Sequence, residues 1–410
     1  MKKESIMKMN VWAFIAIVFV CIGAAVSSCG GSGKNSGEVD CTKEESRVTE
    51  YDMKTLAKAI QKYDKVESFR DGFAQVELNG EYGKINIHGE EVIPCKYDMV
   101  SYFCEGIATV VLGEEYGFVN KNGEEFIPCK YDRAWGFSEG LAAVELNGTW
   151  GFINTKGEMV ISYKYDGASS FSDGLAQVWL GNGETGKCGF INKNGEKVVS
   201  YQYDNAYSFS DGLALVYKNG EGWGYINKKG IEVVPCMYDE AFDEFSDGLA
   251  AVELDSRWGF INKAGEVVIP YKYGAAGYFH EGLAAVELDS KWGFINKAGE
   301  VVIPFRYDRA WVFSEGLAAV ELDGDAGFIN INGEKIIPFK YDDVENFSEG
   351  LAAVKLNGKW GFINKVGKEI IPCKYDKVEN FSEGLATVRF GGRWGYVDKF
   401  GNDTFSSTDN

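Results

Sequence analysis

The stretch that decides the fold is Phe137-Ser-Glu-Gly-Leu-Ala-Ala-Val-Glu-Leu-Asn-Gly-Thr-Trp-Gly-Phe-Ile-Asn-Thr-Lys-Gly-Glu-Met-Val-Ile-Ser-Tyr-Lys-Tyr-Asp166. Leu141 to Leu146 is short, apolar and alternating, which predicts a strand. Asn147-Gly148 follows, a pair that favours a tight hairpin turn. Trp150 to Asn154 reads as a second strand. Asn154-Thr-Lys-Gly157 suits a type I turn, in which the Asn side chain bonds to the backbone and Gly tolerates positive φ. Glu158 to Ile161 is a third strand. In seven copies a proline follows it, at the strand's end, where a missing N–H does least harm. The return segment, Lys-Tyr-Asp-x-Ala-x-x-Phe-Ser-Glu-Gly, is read as one helical turn capped by Asp, with Ala and Phe facing inward and Gly closing it.

This unit recurs. The Gly that ends Phe-Ser-Asp/Glu-Gly, or its variants in the early copies, stands at 72, 106, 140, 174, 212, 248, 282, 316, 350 and 384, mostly 34 residues apart. A fixed period of that size means a repeat array rather than two or three globular domains. Three repeat positions hold Gly in all ten copies and supply 30 of the 51 glycines, so the glycine excess is a backbone demand made ten times. One meander cannot bury its apolar face alone, and stacked neighbours must share a core. The expectation is an all-β array of ten three-stranded antiparallel β-meander repeats of about 34 residues. An open solenoid or superhelix is favoured over a closed propeller-like ring. Three strands are few for a blade, and ten blades exceed the usual four to eight.

Trp-Gly-Phe-Ile-Asn-Lys-x-Gly-Glu-x-Ile-Pro-x-Lys-Tyr-Asp resembles the WG-repeat (KWG-repeat) family of bacterial β-repeat proteins, over roughly residues 62–401. Trp is present at 150, 223, 258, 292, 360 and 394, while Tyr82, Tyr116, Cys188 and Ala326 stand there in the other copies. Such tolerance fits a packing position. The resemblance implies extracytoplasmic or interaction roles and no common reaction.

The first residues give an address. Lys2, Lys3 and Lys8 form a basic start, and the apolar run Val11 to Val26 has signal-peptide length. Val26-Ser27-Ser28-Cys29 resembles a bacterial lipobox, which implies that residues 1–28 are a signal peptide and that Cys29 carries the lipid. Residue 30 is Gly rather than the Asp that signals inner-membrane retention in some bacteria, which favours the outer membrane, with its face open. Residues 29–50 read as a flexible tether, and 51–61 as a short helix with Asp52 as its cap and Leu56, Ala59 and Ile60 on one face. Residues 402–410 read as a frayed polar tail.

Lys and Arg number 42 against 61 Asp and Glu, a formal charge of −19, so there is no electrostatic footprint for nucleic acid. Two histidines, His88 and His280, leave little room for histidine chemistry. The sequence shows no metal-type Cys-x-x-Cys, nucleophile elbow or phosphate loop, and no catalytic, metal or cofactor residue is assigned. Cys95, Cys129, Cys236 and Cys373 share one repeat position that aromatic residues fill elsewhere, so they read as core thiols rather than disulfides. Sites in repeat proteins lie where copies differ. Arg133 with Trp135, Arg309 with Trp311, and Tyr102 and Tyr207 place aromatic and cationic groups in the return segment, with Phe242 and Tyr278 nearby in their copies. Exposed, they would grip a protein partner or stack on sugar rings. The insertion within residues 181–186 and smaller ones near 220–222 and 241–244 mark a further contact region. The function expected is a lipid-anchored envelope scaffold. Its partners would be an unidentified protein and the bilayer through Cys29. The alternative is a surface lipoprotein that binds cell-wall glycan or peptidoglycan.

Overall fold

The computed structural model describes residues 49–181 and 186–405. The expected signal peptide, Cys29, nearly all of the expected tether, the centre of the 181–186 insertion and the last five residues lie outside them. Nine of the ten repeats make a four-stranded antiparallel sheet whose strands pair in sequence order, not a three-stranded one, and the tenth makes three strands. In the third copy these strands are Arg133–Ala134, Leu141–Leu146, Thr149–Asn154 and Met159–Tyr165.

The extra strand comes from the return segment, which is not helical. Ser138 and Leu141 exchange backbone hydrogen bonds at 2.9 and 3.2 Å, with Glu139 at φ 54° and Gly140 at φ 85° between them. That is a two-residue hairpin turn with both central residues left-handed. The Asp that ends Lys-Tyr-Asp caps a turn rather than a helix. The Asp98 carboxylate accepts the Gly113 N–H at 2.6 Å, at the hairpin joining the second and third strands of the next sheet. The Asn turn forms as its sequence predicts, Asn154 Oδ1 accepting the N–H groups of Lys156 and Glu158 at 3.0 Å.

The Trp-Gly pair marks a bulge. Trp150 faces Tyr165 and Phe152 faces Ile161 across the third and fourth strands, so Ser162-Tyr-Lys164 arches over Gly151 alone. A Cβ on Gly151 would lie 2.6 Å from the Ile161 carbonyl oxygen. Proline, where present, occupies this arch in mid-strand instead of ending the strand, as Pro94 does within Glu91–Tyr97. An arch leaves the ladder, so it is a place for a residue with no N–H to give.

Both faces of each sheet are buried against neighbouring sheets. The cluster of Phe152, Ile161 and Tyr165 in the third copy continues into Ala168, Phe171 and Val178 of the fourth. Each such fully buried aromatic contributes roughly 2–3 kcal/mol. The expected open array is corrected here, because the tenth sheet packs against the first as every other sheet packs on its successor. Ser382 Oγ donates to the Phe69 carbonyl at 2.7 Å, the bond that Ser138 makes to Phe171 and Ser172 to Phe209 at the same distance. Leu385 and Tyr396 share one core with Val66, Phe69 and Val76. The protein is a closed ring of ten blades, a β-propeller. An open form would expose the apolar faces of blades one and ten, which carry no polar capping.

The seam is shared by both ends of the chain. Blade ten has three strands, and its outer position begins with Asp403, which bridges to Val397. Residues 403 and 404 are therefore buried structure and not a frayed tail. Lys62 and Tyr63 contact Glu91 at 2.9 and 3.1 Å, as Lys96 and Tyr97 contact Glu125 at 3.5 and 3.0 Å. Lys62-Tyr-Asp64 thus stands in the place of the Lys-Tyr-Asp that ends a fourth strand elsewhere, without itself being strand. The helix before it, α1 (Thr49–Ile60), buries Met53, Leu56 and Ile60 in the seam core. It begins before Asp52, which lies within it.

First strands lie nearest the ring axis. The longest of them, Ala275–His280 and Arg309–Ser314 in adjacent blades, touch each other. The hairpin tips that follow form a belt. The Glu139 carboxylate accepts the Gly174 N–H at 3.1 Å, and Glu383 accepts that of Gly72 at 3.0 Å across the seam. Lys193 and Lys399 reach back to Glu139 and Glu349 at 3.1 and 2.9 Å.

Candidate functional site

The belt and the core are common to all blades, so a site must be sought where the inner wall varies. The position of Trp135, which follows the first strand Arg133–Ala134, carries a different chemistry in each sector. Blades three, five, six and eight place Trp135, Tyr207, Phe242 and Trp311 there. Blades nine, ten and one place Glu345, Glu379 and Glu67. One arc of the wall is aromatic and another is acidic.

Trp135 and Arg133 line a cleft of about 400 Å³ between blades three and four, together with Trp150, Trp179, Asp166 and Ser169. Trp135 is held rigidly there. Its indole N–H donates to the Ala168 carbonyl at 2.8 Å, and its ring lies 6.1 Å from Trp150 at an interplanar angle of 15°. Arg133 pairs with Glu145 at 3.6 Å and remains largely exposed. Such a cleft offers flat apolar faces beside an exposed cation and a carboxylate.

Trp311 and Arg309 occupy the same positions in blade eight, on the far side of the ring, so the two pairs form no joint site. Trp311 packs on the core that contains Ala326, the residue replacing the repeat tryptophan, and so lacks the stacked partner that Trp135 has. Arg309 pairs with Glu321 at 3.9 Å.

Tyr102 stands in blade two with 39% of its surface exposed. Arg70 lies 5.0 Å from its ring centre and Lys84 5.2 Å. Lys84 is the exception in its row, since the other nine copies have Phe or Tyr there. It is 1% exposed, and burial pulls its pKa down to about 8, opposed by the nearby Glu67 carboxylate.

Tyr207, 36% exposed, rests against Trp223 with ring centres 5.7 Å apart. In the next two blades Phe242 packs on Trp258 at 5.2 Å and on Tyr278 at 4.4 Å. Asp243 lies among them, and its carboxylate pushes the Tyr278 hydroxyl further up, to about 12, after burial. Burial raises the pKa of Asp243, of Glu244 and of Glu240, and neighbouring carboxylates add to the effect on the last two. The residue inserted near 241–244 therefore sits at an aromatic and acidic surface. Cys29 and residues 182–185 lie outside the described residues.

Lys84, Trp179, Glu240 and Glu253 are absent from the sequence-based candidates, and Asp243 and Glu244 enter them only through the insertion near 241–244. Lys84 was legible as the lone charge in an aromatic row. The acids were legible only as a cluster, since Glu240 is read against its cross-strand neighbour. Among the described residues no group of three or more His, Cys, Asp or Glu could hold a metal ion, and no helix is long and apolar enough to cross a membrane. Cys95, Cys104, Cys129, Cys188, Cys236 and Cys373 are free thiols.

The family model described as "WG containing repeat" matches at residues 59–82, 82–115, 116–150, 150–182, 189–221, 223–258, 258–292, 292–324, 327–360 and 360–394. No curated protein matches in sequence. Among solved structures, the chain is similar to a eukaryotic initiation factor at 10% identity and TM-score 0.46, covering 74% of this chain and 96% of that one. It is similar to BamB from Moraxella catarrhalis at 11% identity and TM-score 0.33, covering 74% and 94%. PorZ, a surface component of the type-IX secretion system of Porphyromonas gingivalis, gives 9% identity and TM-score 0.26, covering 83% and 58%. Likeness at this level decides nothing about function.

Proposed function

The chain belongs to the WG-repeat family, and from that premise we propose that it is a lipid-anchored cell-envelope scaffold whose ring binds a protein partner on its inner wall. The observation that supports this is the exposure of Tyr207 and Tyr278, 36% and 40%, in blades five and seven, on either side of Phe242 in blade six. Large rings at a wet surface cost solubility and are the residues that carry binding energy at interfaces. The anchor rests on the sequence Val26-Ser-Ser-Cys29, with the outer membrane as destination. Two acyl chains on one cysteine hold an otherwise water-soluble ring at a bilayer.

The test is crosslinking and affinity capture from intact cells, with the Tyr207→Ala/Tyr278→Ala double variant beside the wild type. Loss of one specific protein from the variant supports the reading, and an unchanged capture profile removes it. Cys29→Ser should release the chain from membranes and abolish incorporation of labelled palmitate. Continued labelling would place the lipid elsewhere.

A second reading, glycan binding, is favoured by the cleft of Trp135, Trp150 and Trp179, whose indole faces and flanking Arg133 and Asp166 suit the apolar face and hydroxyls of a sugar ring. Peptidoglycan pulldown with Trp135→Ala beside the wild type tests it. Equal retention of both would remove the cleft as a sugar site.

A further inference from the structure

The first residue of each first strand faces a residue of the second strand, and this pair sets the local charge of the wall. Blade three puts Arg133 opposite Glu145, blade eight puts Arg309 opposite Glu321, and blade one puts Lys65 opposite Glu77. In blade six the pair is Glu240 opposite Glu253. Like charges directly opposite in a sheet destabilise it. Asp243 and Glu244 follow within four residues, and Asp211 of the preceding blade already has its cation, Lys263, at 3.1 Å. Among the described residues no ion pair to Lys or Arg involves Glu240, Glu253, Asp243 or Glu244. The same patch carries the aromatic surface of Tyr207, Phe242 and Tyr278, backed by Trp223 and Trp258.

An unpartnered aromatic face with surplus negative charge has one complementary occupant. A guanidinium is flat, stays charged, stacks on aromatic faces and binds carboxylates bidentately, whereas a lysine ammonium does only the electrostatic part well. Blades three and eight show the same solution built in cis, because Arg133 and Arg309 occupy the position that Glu240 holds. The geometry points to a docking site on blades five to seven for an arginine-bearing segment of the partner protein, its guanidinium set between Glu240 and Glu253 and against Tyr207, Phe242 and Tyr278. This rests on the interaction reading above and names the chemistry of the partner. The arginine would relieve a repulsion that the isolated ring tolerates, which couples binding to stability.

The experiment uses the full chain and a fluorescent peptide of alternating Arg and Gly, titrated by anisotropy at near-physiological salt. Control peptides replace Arg by citrulline, which keeps the shape without the charge, or by Lys. Wild type should bind the Arg peptide at least tenfold more tightly than either control. Glu240→Arg supplies the missing cation in cis. It should weaken the Arg peptide at least tenfold while leaving the melting temperature unchanged or higher. Glu345→Gln, on the acidic arc across the ring, should leave binding within twofold. Equal binding by wild type and Glu240→Arg would mean diffuse attraction to an acidic protein and would overturn the site. So would equal binding of the Arg and Lys peptides. If Glu240→Arg still captures the same cellular partner as wild type, the docking chemistry fails while the interaction reading stands. If the Tyr207/Tyr278 variant also captures it, both fail.

Discussion

Ser382 and Phe69 are 313 residues apart in sequence, yet the Ser382 hydroxyl donates to the Phe69 carbonyl at 2.7 Å. The contact is the same one that Ser138 makes to Phe171 in the next repeat. A repeat that treats the far end of the chain as its next neighbour defines a ring. Around it lie Ser68 with Thr387 at 2.9 Å and the Tyr396 hydroxyl on the Glu67 carbonyl at 2.7 Å.

The seam should depend on Asp403. It is 7% exposed and accepts from Lys374 Nζ at 2.7 Å and from the Tyr375 hydroxyl at 3.1 Å. Asp403→Ala leaves a buried hydroxyl without that acceptor, which costs about 1–3 kcal/mol. Asp403→Asn keeps an acceptor and should cost less. Urea denaturation of the two variants measures the difference. Equal stability of both with wild type would show that the tail does not close blade ten.

Glycines in two positions should respond differently to the same change. Gly151→Ala drives a Cβ to within 2.6 Å of the Ile161 carbonyl oxygen, a backbone atom that cannot move without breaking the arch. Gly140 has open space around its missing Cβ but a φ of 85°. Gly140→Ala should cost about 1–2 kcal/mol from backbone strain alone. Gly151→Ala should cost more, by about 1–3 kcal/mol of overpacking. Thermal melts of both variants give the order, and a reversed order would contradict the bulge geometry.

Lys84 predicts a pH dependence. Its pKa in the folded ring is about 8, below the 10.5 of a free lysine. The unfolded chain therefore binds the proton more tightly, and unfolding takes up a proton between about pH 8 and 10.5. Stability contributed by this group rises with pH across that window, by on the order of 3 kcal/mol. Below pH 8 the full burial cost remains. Lys84→Met should be more stable than wild type at pH 7, and its advantage should shrink towards pH 10.5. A constant advantage at both pH values would mean that Lys84 is not desolvated.

Much of the blade is written in short motifs. Asn147-Gly148, Asn154 to Gly157 and the strands between them read directly, because each depends on neighbours within a few residues. Glu139-Gly140 and Asp173-Gly174 carried the same hairpin chemistry as Asn-Gly, yet flanking Phe and Ala at helical spacing suggested a turn of helix. Read as helix, the return segment hides one strand per repeat and makes ten blades look too thin. Closure was legible only indirectly. Leu385, Tyr396, Val66 and Phe69 keep their apolar character in the terminal copies, where an open array needs polar caps. Lys62-Tyr-Asp64 repeats the end of a fourth strand before the first blade begins, which was a direct sign that another blade precedes it.

The candidate site divides in the same way. Trp135 and Tyr207 stood out as aromatic departures within a repeat. That Trp135 gains a stacked partner in Trp150 while Trp311 loses one to Ala326 follows from residues 15 positions downstream, which the repeat register supplies. The charge of Glu240 acquires meaning only beside Glu253, and that pairing required the strand which the helical reading had removed.

Closure is tested most directly by replacing Ser68 and Thr387 with cysteine in one chain and oxidising the folded monomer under mild conditions, with the crosslink identified by peptide mass spectrometry. Their hydroxyl oxygens lie 2.9 Å apart, so the account predicts an intramolecular disulfide between positions 68 and 387 in most molecules. A folded monomer in which these two cysteines stay reduced, or pair only between molecules, would contradict the ring.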